Sequence, residues 1–148
     1  MRSFWQQDAR DEAVARLERL APDAPAAWGR FDAPRMVVHL TDALRMTFGD
    51  LPTQPKDFPL LRTFPLKQLV IYVLPFPRGA PTAPELLARV PGDWASERRE
   101  CRAMIERFAT ERRERDWPTH PAFGRLDAQG WGILAYRHVN HHLRQFGV

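Results

Sequence analysis

Residues 130–146 read GWGILAYRHVNHHLRQF, and this segment decides the fold because its apolar residues recur with a helical period. Successive residues of a helix turn by about 100°, so His138 and His142 fall within about 20° of Trp131. Both imidazoles therefore occupy the middle of the apolar face, one turn apart, and point inward. His141 lies on the flank of that face, about 80° from its centre. Two inward histidines four residues apart can bind one metal ion together.

A third inward histidine would distinguish a metal site from core histidines that are simply hydrogen-bonded to neighbours, which is the commoner case. The best candidate is His39, which lies about 60° from the centre of the apolar face of a second predicted helix. Asp42, three residues later, either orients a ligand through a hydrogen bond or is exposed to solvent. His120 precedes a proline in a predicted turn, and we interpret it as structural. The sequence thus nominates His39, His138 and His142 as metal ligands.

The composition is that of an ordinary globular chain, long enough to bury one hydrophobic core. Of its 148 residues, 44% are hydrophobic and 27% are charged, so we expect a single domain over residues 1–148. The 22 basic and 18 acidic residues give a net charge of +4, but the two signs alternate along the chain. A nucleic-acid interface needs an uninterrupted basic patch, so we expect no nucleic-acid partner.

Membrane and export segments are not apparent in the sequence. The longest apolar run is Leu69–Leu74, which is far too short to span a bilayer, and the first residues lack the apolar core of a signal peptide. We therefore expect a cytoplasmic protein without a membrane partner. The single cysteine, Cys101, cannot form an intrachain disulfide. It lies on the apolar stripe of a predicted helix, so we interpret it as a buried core residue and not as a nucleophile.

Four segments with helical periodicity predict an all-α fold, a four-helix bundle. The predicted long helices cover residues 9–20, 33–48, 93–115 and 128–146, with Asp32 and Asp127 as N-caps and Gly49 as a C-cap. A proline-rich crossover, residues 49–92, is expected to lie outside the bundle. Within it we predict a short buried helix over residues 66–74. A second short helix is predicted to begin with a capping box at residues 82–85 and to end at residue 90.

The order of these motifs resembles the DinB-like (YfiT-like) superfamily of four-helix-bundle metalloenzymes. The resemblance rests on MVVHLTDA at residues 36–43 and HVNHHLRQ at residues 138–145, and it covers most of the chain. The segment HPAFG at residues 120–124 is similar to one uncharacterised branch. The resemblance implies that His39, His138 and His142 bind a divalent ion, zinc or nickel, and leave positions open to water or substrate. Characterised members of that superfamily include thiol-dependent transferases and isomerases that use bacillithiol or mycothiol.

Three functions remain open from the sequence. The first is a metal-dependent enzyme, a transferase or hydrolase, with thiol transfer preferred and a small-molecule thiol as its partner. The second is a helical bundle that binds a metal or small ligand without turnover, and the third is a structural bundle whose histidines are satisfied in the core. A di-iron site is not expected, because the two ligand helices lack the inward glutamates that it needs. Five tryptophans and nine phenylalanines exceed what one core obviously needs, so we also predict that the chain self-associates, either weakly or as a homodimer.

Overall fold

The chain is predominantly helical, which confirms the predicted all-α class. A computed structural model describes residues 1–56, 58–76, 78–79 and 82–148. The residues outside these ranges all belong to the predicted crossover. Over the described residues the α-helices are α1 (Gln7–Arg19), α2 (Ala33–Phe48), α3 (Leu66–Gln68), α4 (Trp94–Glu106) and α5 (Ala128–Gln145).

A small antiparallel ribbon precedes α5, where the sequence predicts a turn. Its strands are β1 (Thr119–His120) and β2 (Gly124–Arg125), with His120 opposite Gly124. In the described part of the chain, no helix combines the length and apolar character needed to cross a membrane.

Short polar side chains determine where the two histidine-bearing helices begin. The Asp32 carboxylate accepts a hydrogen bond from the Arg35 backbone N–H at 2.7 Å, and Asp127 accepts one from Gly130 at 2.7 Å. Each aspartate therefore satisfies a backbone donor that lacks an intrahelical partner. Helix α2 ends at Gly49, whose φ of 86° is a left-handed conformation that glycine adopts without steric cost. The predicted bounds of α2 are thus correct, and α5 ends one residue earlier than predicted.

The four longer helices share one hydrophobic core. Helices α1 and α2 each pack against both α4 and α5. The centroid of the Phe4 ring, from the segment before α1, lies 5.5 Å from that of Phe108 and 5.6 Å from that of Tyr136. Aromatic pairs therefore form one part of this core. Cys101 on α4 is fully buried in the same core, as predicted, and burial raises the pKa of its thiol to about 12.

The crossover between α2 and α4 packs onto the helices and forms a covering layer over α2 and α5. Ile71, Ala83 and Leu86 from the crossover join Trp131 and Leu134 of α5 in a second apolar cluster. The crossover therefore contributes directly to the environment of α5.

The first short helix of the crossover is less buried than predicted. Residues 66–74 contain α3 followed by a π-helical turn, Leu69–Val73, in which only Ile71 is buried. Leu69, Val73 and Leu74 are exposed. The prediction of a buried helix was therefore wrong for most of its length, because a covering layer presents only one side to the core.

The second short helix of the crossover is a 3₁₀-helix, Pro84–Leu87, and the predicted capping box does not form. Its N-cap is Ala83, which offers no side-chain acceptor. The Glu85 carboxylate instead accepts a hydrogen bond from the Gln54 backbone N–H at 2.9 Å. The Glu85 side chain, which the local pattern assigns to a helix cap, thus binds a distant backbone group instead.

Helix α4 ends well before residue 115, where the sequence predicts its end. It passes into a 3₁₀-helix, Arg107–Ala109, after Glu106. The Trp117 ring lies 5.7 Å from Trp5 and 6.3 Å from Phe48, so the chain has to turn back toward the core before reaching it. The charged residues 112–114 are exposed and offer no apolar surface that would favour a longer helix.

Candidate metal centre

Three histidines from two helices converge between α2 and α5. His39 on α2 and His138 and His142 on α5 each place a ring nitrogen so that the three atoms lie within 4.8 Å of one another. The three pairs of ring centroids are 4.9 to 5.0 Å apart. Among the described residues, no other group of three His, Cys, Asp or Glu side chains has this spacing. The structure thus brings together the three residues that the sequence nominates.

A hydrogen bond from one ring nitrogen fixes the tautomer of His39. Its Nδ1 lies 3.3 Å from the Leu86 carbonyl oxygen, and a carbonyl can only accept, so Nδ1 carries the proton. The Nε2 of His39 therefore holds the lone pair, and it faces His138. His39 is 3% exposed, which keeps this arrangement away from solvent. A backbone carbonyl behind a metal-ligating histidine is a common arrangement in metal sites.

Gln145 fixes the tautomer of His142 in the same way. The Gln145 Nε2 donates to the Trp28 carbonyl oxygen, which orients the amide so that its Oε1 faces the imidazole. The His142 Nδ1 lies 2.8 Å from that Oε1 and therefore donates its proton there, which leaves the lone pair on Nε2. Gly29 permits this contact, because a Cβ at that position would lie 2.6 Å from the Gln145 Nε2.

The spacing of one pair of ring nitrogens fits a shared divalent ion. The Nε2 atoms of His39 and His138 are 3.1 Å apart. Two nitrogens bound to one zinc ion at about 2.0–2.1 Å, with angles between about 90° and 110°, lie roughly 2.8 to 3.4 Å apart. Three imidazoles without a carboxylate or thiolate are also a donor set that suits zinc and nickel.

The environment keeps all three imidazoles in the neutral form that binds metals. Burial lowers the pKa of His39 below its ordinary value of 6.5. Burial, with help from the neighbouring imidazoles, lowers the pKa of His138 well below 6.5 and that of His142 to about 3. Metal ligands must be deprotonated, so these shifts favour metal binding at neutral pH.

Two arginines hold the Leu86 carbonyl in place behind His39. The Arg35 guanidinium donates to the backbone carbonyls of Leu87 and Arg89, the latter at 2.8 Å. The Arg89 side chain in turn donates to Asp42 at 3.2 Å and to Glu97 at 2.8 Å. The crossover segment that supplies the Leu86 carbonyl is therefore tied to both α2 and α4.

Asp42 takes neither of the two roles that the sequence left open. It is 3% exposed, so it is not solvated, and its carboxylate pairs with Arg89 at 3.2 Å and Arg45 at 3.6 Å. The hydrogen-bond partner of His39 is the Leu86 carbonyl. Asp42 thus does not contact His39; it binds Arg89, which belongs to the segment that carries the Leu86 carbonyl.

His141 lies beside the cluster and not in it, as its helical angle predicts. Its ring centroid is 5.1 Å from that of His142, but His141 is not one of the three converging residues. The ring lies between Trp28, at 5.7 Å, and Phe76, at 6.0 Å. The Phe76 ring also lies 6.2 Å from His138, so aromatic side chains rim the site on this side.

His120 has the structural role that its sequence context predicts. Its Nδ1 accepts hydrogen bonds from the backbone N–H groups of Ala122 and Phe123, at 3.1 and 3.2 Å, inside the turn between β1 and β2. Burial lowers its pKa to about 3, so the ring is neutral and can accept both bonds.

Sequence reasoning missed the groups that orient the ligands. The Leu86 carbonyl has no sequence signal, because every residue carries a carbonyl. Gln145 had one available signal, since it follows His142 by three residues and such a pair meets on a helix surface. Trp28 and Phe76 come from irregular segments, whose positions depend on the whole fold.

The fold and the site define the class of protein: an all-α chain with a buried cluster of three histidines that fits a divalent metal ion. The chain belongs to the family described as "Protein of unknown function (DUF1569)". The sequence model of that family matches residues 3–147. No curated protein and no solved structure gives a significant match to the chain.

Proposed function

We propose that this chain is a metal-dependent protein of the DinB-like four-helix-bundle type, in which His39, His138 and His142 hold one zinc or nickel ion. The observation that carries the proposal is the convergence of three ring nitrogens within 4.8 Å. Two of these rings have their other nitrogen committed to an acceptor, which turns their lone pairs toward the shared point. With Nδ1 of His39 and His142 committed in this way, the Nε2 atom of each ring carries the lone pair that an ion would need.

The number of ligands favours a site that acts on a bound molecule. Structural zinc sites have four protein ligands, whereas catalytic ones have three and leave a position open. The cluster has three, with no cysteine or carboxylate among the described residues to close it. A divalent ion held by three neutral imidazoles lowers the pKa of a thiol or water that coordinates to it.

The reaction class that we propose is transfer of a small-molecule thiol, with hydrolysis as the less favoured form. Hydrolysis needs a general base positioned for water, and no carboxylate of the described residues joins the cluster. A thiol needs less help, because coordination alone makes it a thiolate nucleophile. His39, His138 and His142 would hold the ion, while the Leu86 carbonyl and Gln145 orient two of the rings.

The same lack of a nearby carboxylate supports a second candidate, a bundle that binds a metal or a small ligand without turnover. Elemental analysis of protein purified without an affinity tag tests what the two candidates share: about one equivalent of zinc or nickel is expected, and none would contradict both. Assays with a panel of low-molecular-weight thiols and an electrophilic acceptor then separate them. Metal-dependent thiol consumption supports the enzyme, whereas a loaded but inactive protein supports the binding bundle.

A further inference from the structure

Three side chains on one face of α2 bind the crossover where its second 3₁₀-helix ends. Arg35, His39 and Asp42 lie within about 60° of one another around the helix axis, so they form one stripe. All three bind residues 86–89, which we call the 86–89 segment. His39 also belongs to the histidine cluster. The candidate metal site and the 86–89 segment are therefore joined through a single imidazole.

Arg35 is the residue of this stripe that holds the backbone of the segment on either side of residue 88. Its guanidinium donates to the carbonyl oxygens of Leu87 and Arg89, the latter at 2.8 Å. The preceding carbonyl, that of Leu86, lies 3.3 Å from His39 Nδ1 and accepts its proton. Among the described residues, no other side chain donates to these three carbonyls. Because Leu87 directly follows Leu86, the bonds that Arg35 makes limit how far the Leu86 carbonyl can turn away from His39.

The other contacts of the segment leave the direction of this carbonyl undetermined. The Leu86 side chain is buried in the second apolar cluster, and the Arg89 side chain binds Asp42 and Glu97. Both contacts hold side chains, and apolar packing has no preferred direction. The hydrogen bonds of Arg35 are therefore the contacts that orient the backbone behind His39.

We infer that Arg35 is a positioning residue of the metal site. It keeps the Leu86 carbonyl at His39 Nδ1, and so keeps the lone pair of His39 on Nε2, the atom that an ion would need. This inference rests on the proposed function, because it concerns how the ion is held. It adds a role in metal binding for a residue outside the cluster, and it makes the 86–89 segment part of the site.

The charge of Arg35 opposes this role, so the direction of the effect separates two explanations. Arg35 lies one helical turn before His39, and its positive charge repels a cation bound there. If Arg35 acted through its charge alone, its removal would strengthen zinc binding. If Arg35 acts by positioning, its removal weakens zinc binding, because groups that orient a metal-ligating histidine change metal affinity by about 10–100-fold.

The variant Arg35→Met and a matched control, Arg10→Met, test the inference. Arg10 on α1 also donates to a backbone carbonyl, that of Phe4 at 2.7 Å, but no described contact joins it to the histidines. Each variant removes one positive charge and the bonds of one arginine to backbone carbonyls. The Arg35 backbone N–H still donates to Asp32, so α2 keeps its cap. Competition titration against a chromophoric chelator should give a zinc affinity about tenfold lower in Arg35→Met, and within about twofold of the wild type in Arg10→Met.

Nitrogen NMR of the metal-free proteins reports the tautomer of His39 directly. We expect the proton on Nδ1 in the wild type and in Arg10→Met, and a mixture of both tautomers in Arg35→Met. This signal would not change if Arg35 only stabilised the fold. Three results each overturn the inference while leaving the metal site intact: unchanged or tighter zinc binding by Arg35→Met, an equal loss of affinity in Arg10→Met, or the wild-type tautomer in Arg35→Met. A wild-type protein that binds no zinc overturns the proposed function itself, and this inference with it.

Discussion

Replacing Gln145 with methionine tests whether the hydrogen bond behind His142 matters for metal binding. Methionine has a similar volume and no strong acceptor, so Gln145→Met keeps the packing and removes the Oε1 atom that lies 2.8 Å from the His142 Nδ1. Groups that orient metal-ligating histidines typically change metal affinity by about 10–100-fold. We expect zinc affinity to fall by that amount, which corresponds to about 1.4–2.7 kcal/mol.

A second substitution separates ligand orientation from stability. Gln145→Glu keeps an acceptor for His142 but places a carboxylate oxygen against the Trp28 carbonyl, where the amide now donates. We expect this variant to keep zinc affinity within about threefold of the wild type, because carboxylates also orient zinc-bound histidines. Both variants should lower the unfolding free energy of the apo-protein by about 0.5–1.5 kcal/mol, since each removes the donor to the half-buried Trp28 carbonyl.

Competition titration against a chromophoric zinc chelator measures the affinity, and urea unfolding of the apo-protein measures the stability. The expected pattern is weaker binding in Gln145→Met alone and lower stability in both variants. Wild-type zinc affinity in Gln145→Met would refute the reasoning, because it would show that the orientation of His142 does not depend on this hydrogen bond.

Three further predictions concern the rest of the molecule. His120 has a pKa lowered to about 3, so its contribution to stability is complete above about pH 6.5 and is lost as the pH falls. The unfolding free energy of the wild type should fall between pH 6.5 and 5, and it should fall less steeply in the variant His120→Asn. The slopes of the two proteins should differ by up to about 1.4 kcal/mol per pH unit, and equal slopes would contradict this. Cys101 should react with a thiol reagent only after unfolding, and rapid labelling of the native protein would argue against its buried position. Exposed apolar side chains of the crossover, such as Phe64 and Leu74, offer a surface for the predicted self-association. Light scattering should then show a mass that rises above 17.2 kDa with concentration, and a constant 17.2 kDa would reject it.

The parts of the fold that the sequence predicts well are those with local causes. Helix α2 begins and ends where expected because Asp32 and Gly49 act through the backbone next to them. The convergence of His39, His138 and His142 was predictable because helical periodicity alone places all three on inward faces.

The parts that the sequence does not predict depend on contacts between distant segments. Helix α4 ends early because Trp117 packs against Trp5 and Phe48, which no local pattern indicates. The hydrogen bond from His39 to the Leu86 carbonyl spans 47 residues and depends on how the crossover packs. The sequence therefore supplies the candidate ligands, whereas the groups that orient them require the folded structure.

Metal content of single-histidine variants is the measurement that tests the central claim most directly. The wild type, His138→Ala and His141→Ala are purified without a tag, dialysed against buffered zinc and analysed for bound metal. His138 is one of the three converging histidines and His141 is its neighbour outside the cluster, so the two variants differ in role while sharing a helix. We expect about one equivalent of zinc in the wild type and in His141→Ala, and almost none in His138→Ala. A His138→Ala protein that keeps its zinc, beside a His141→Ala protein that loses it, would contradict the site proposed here.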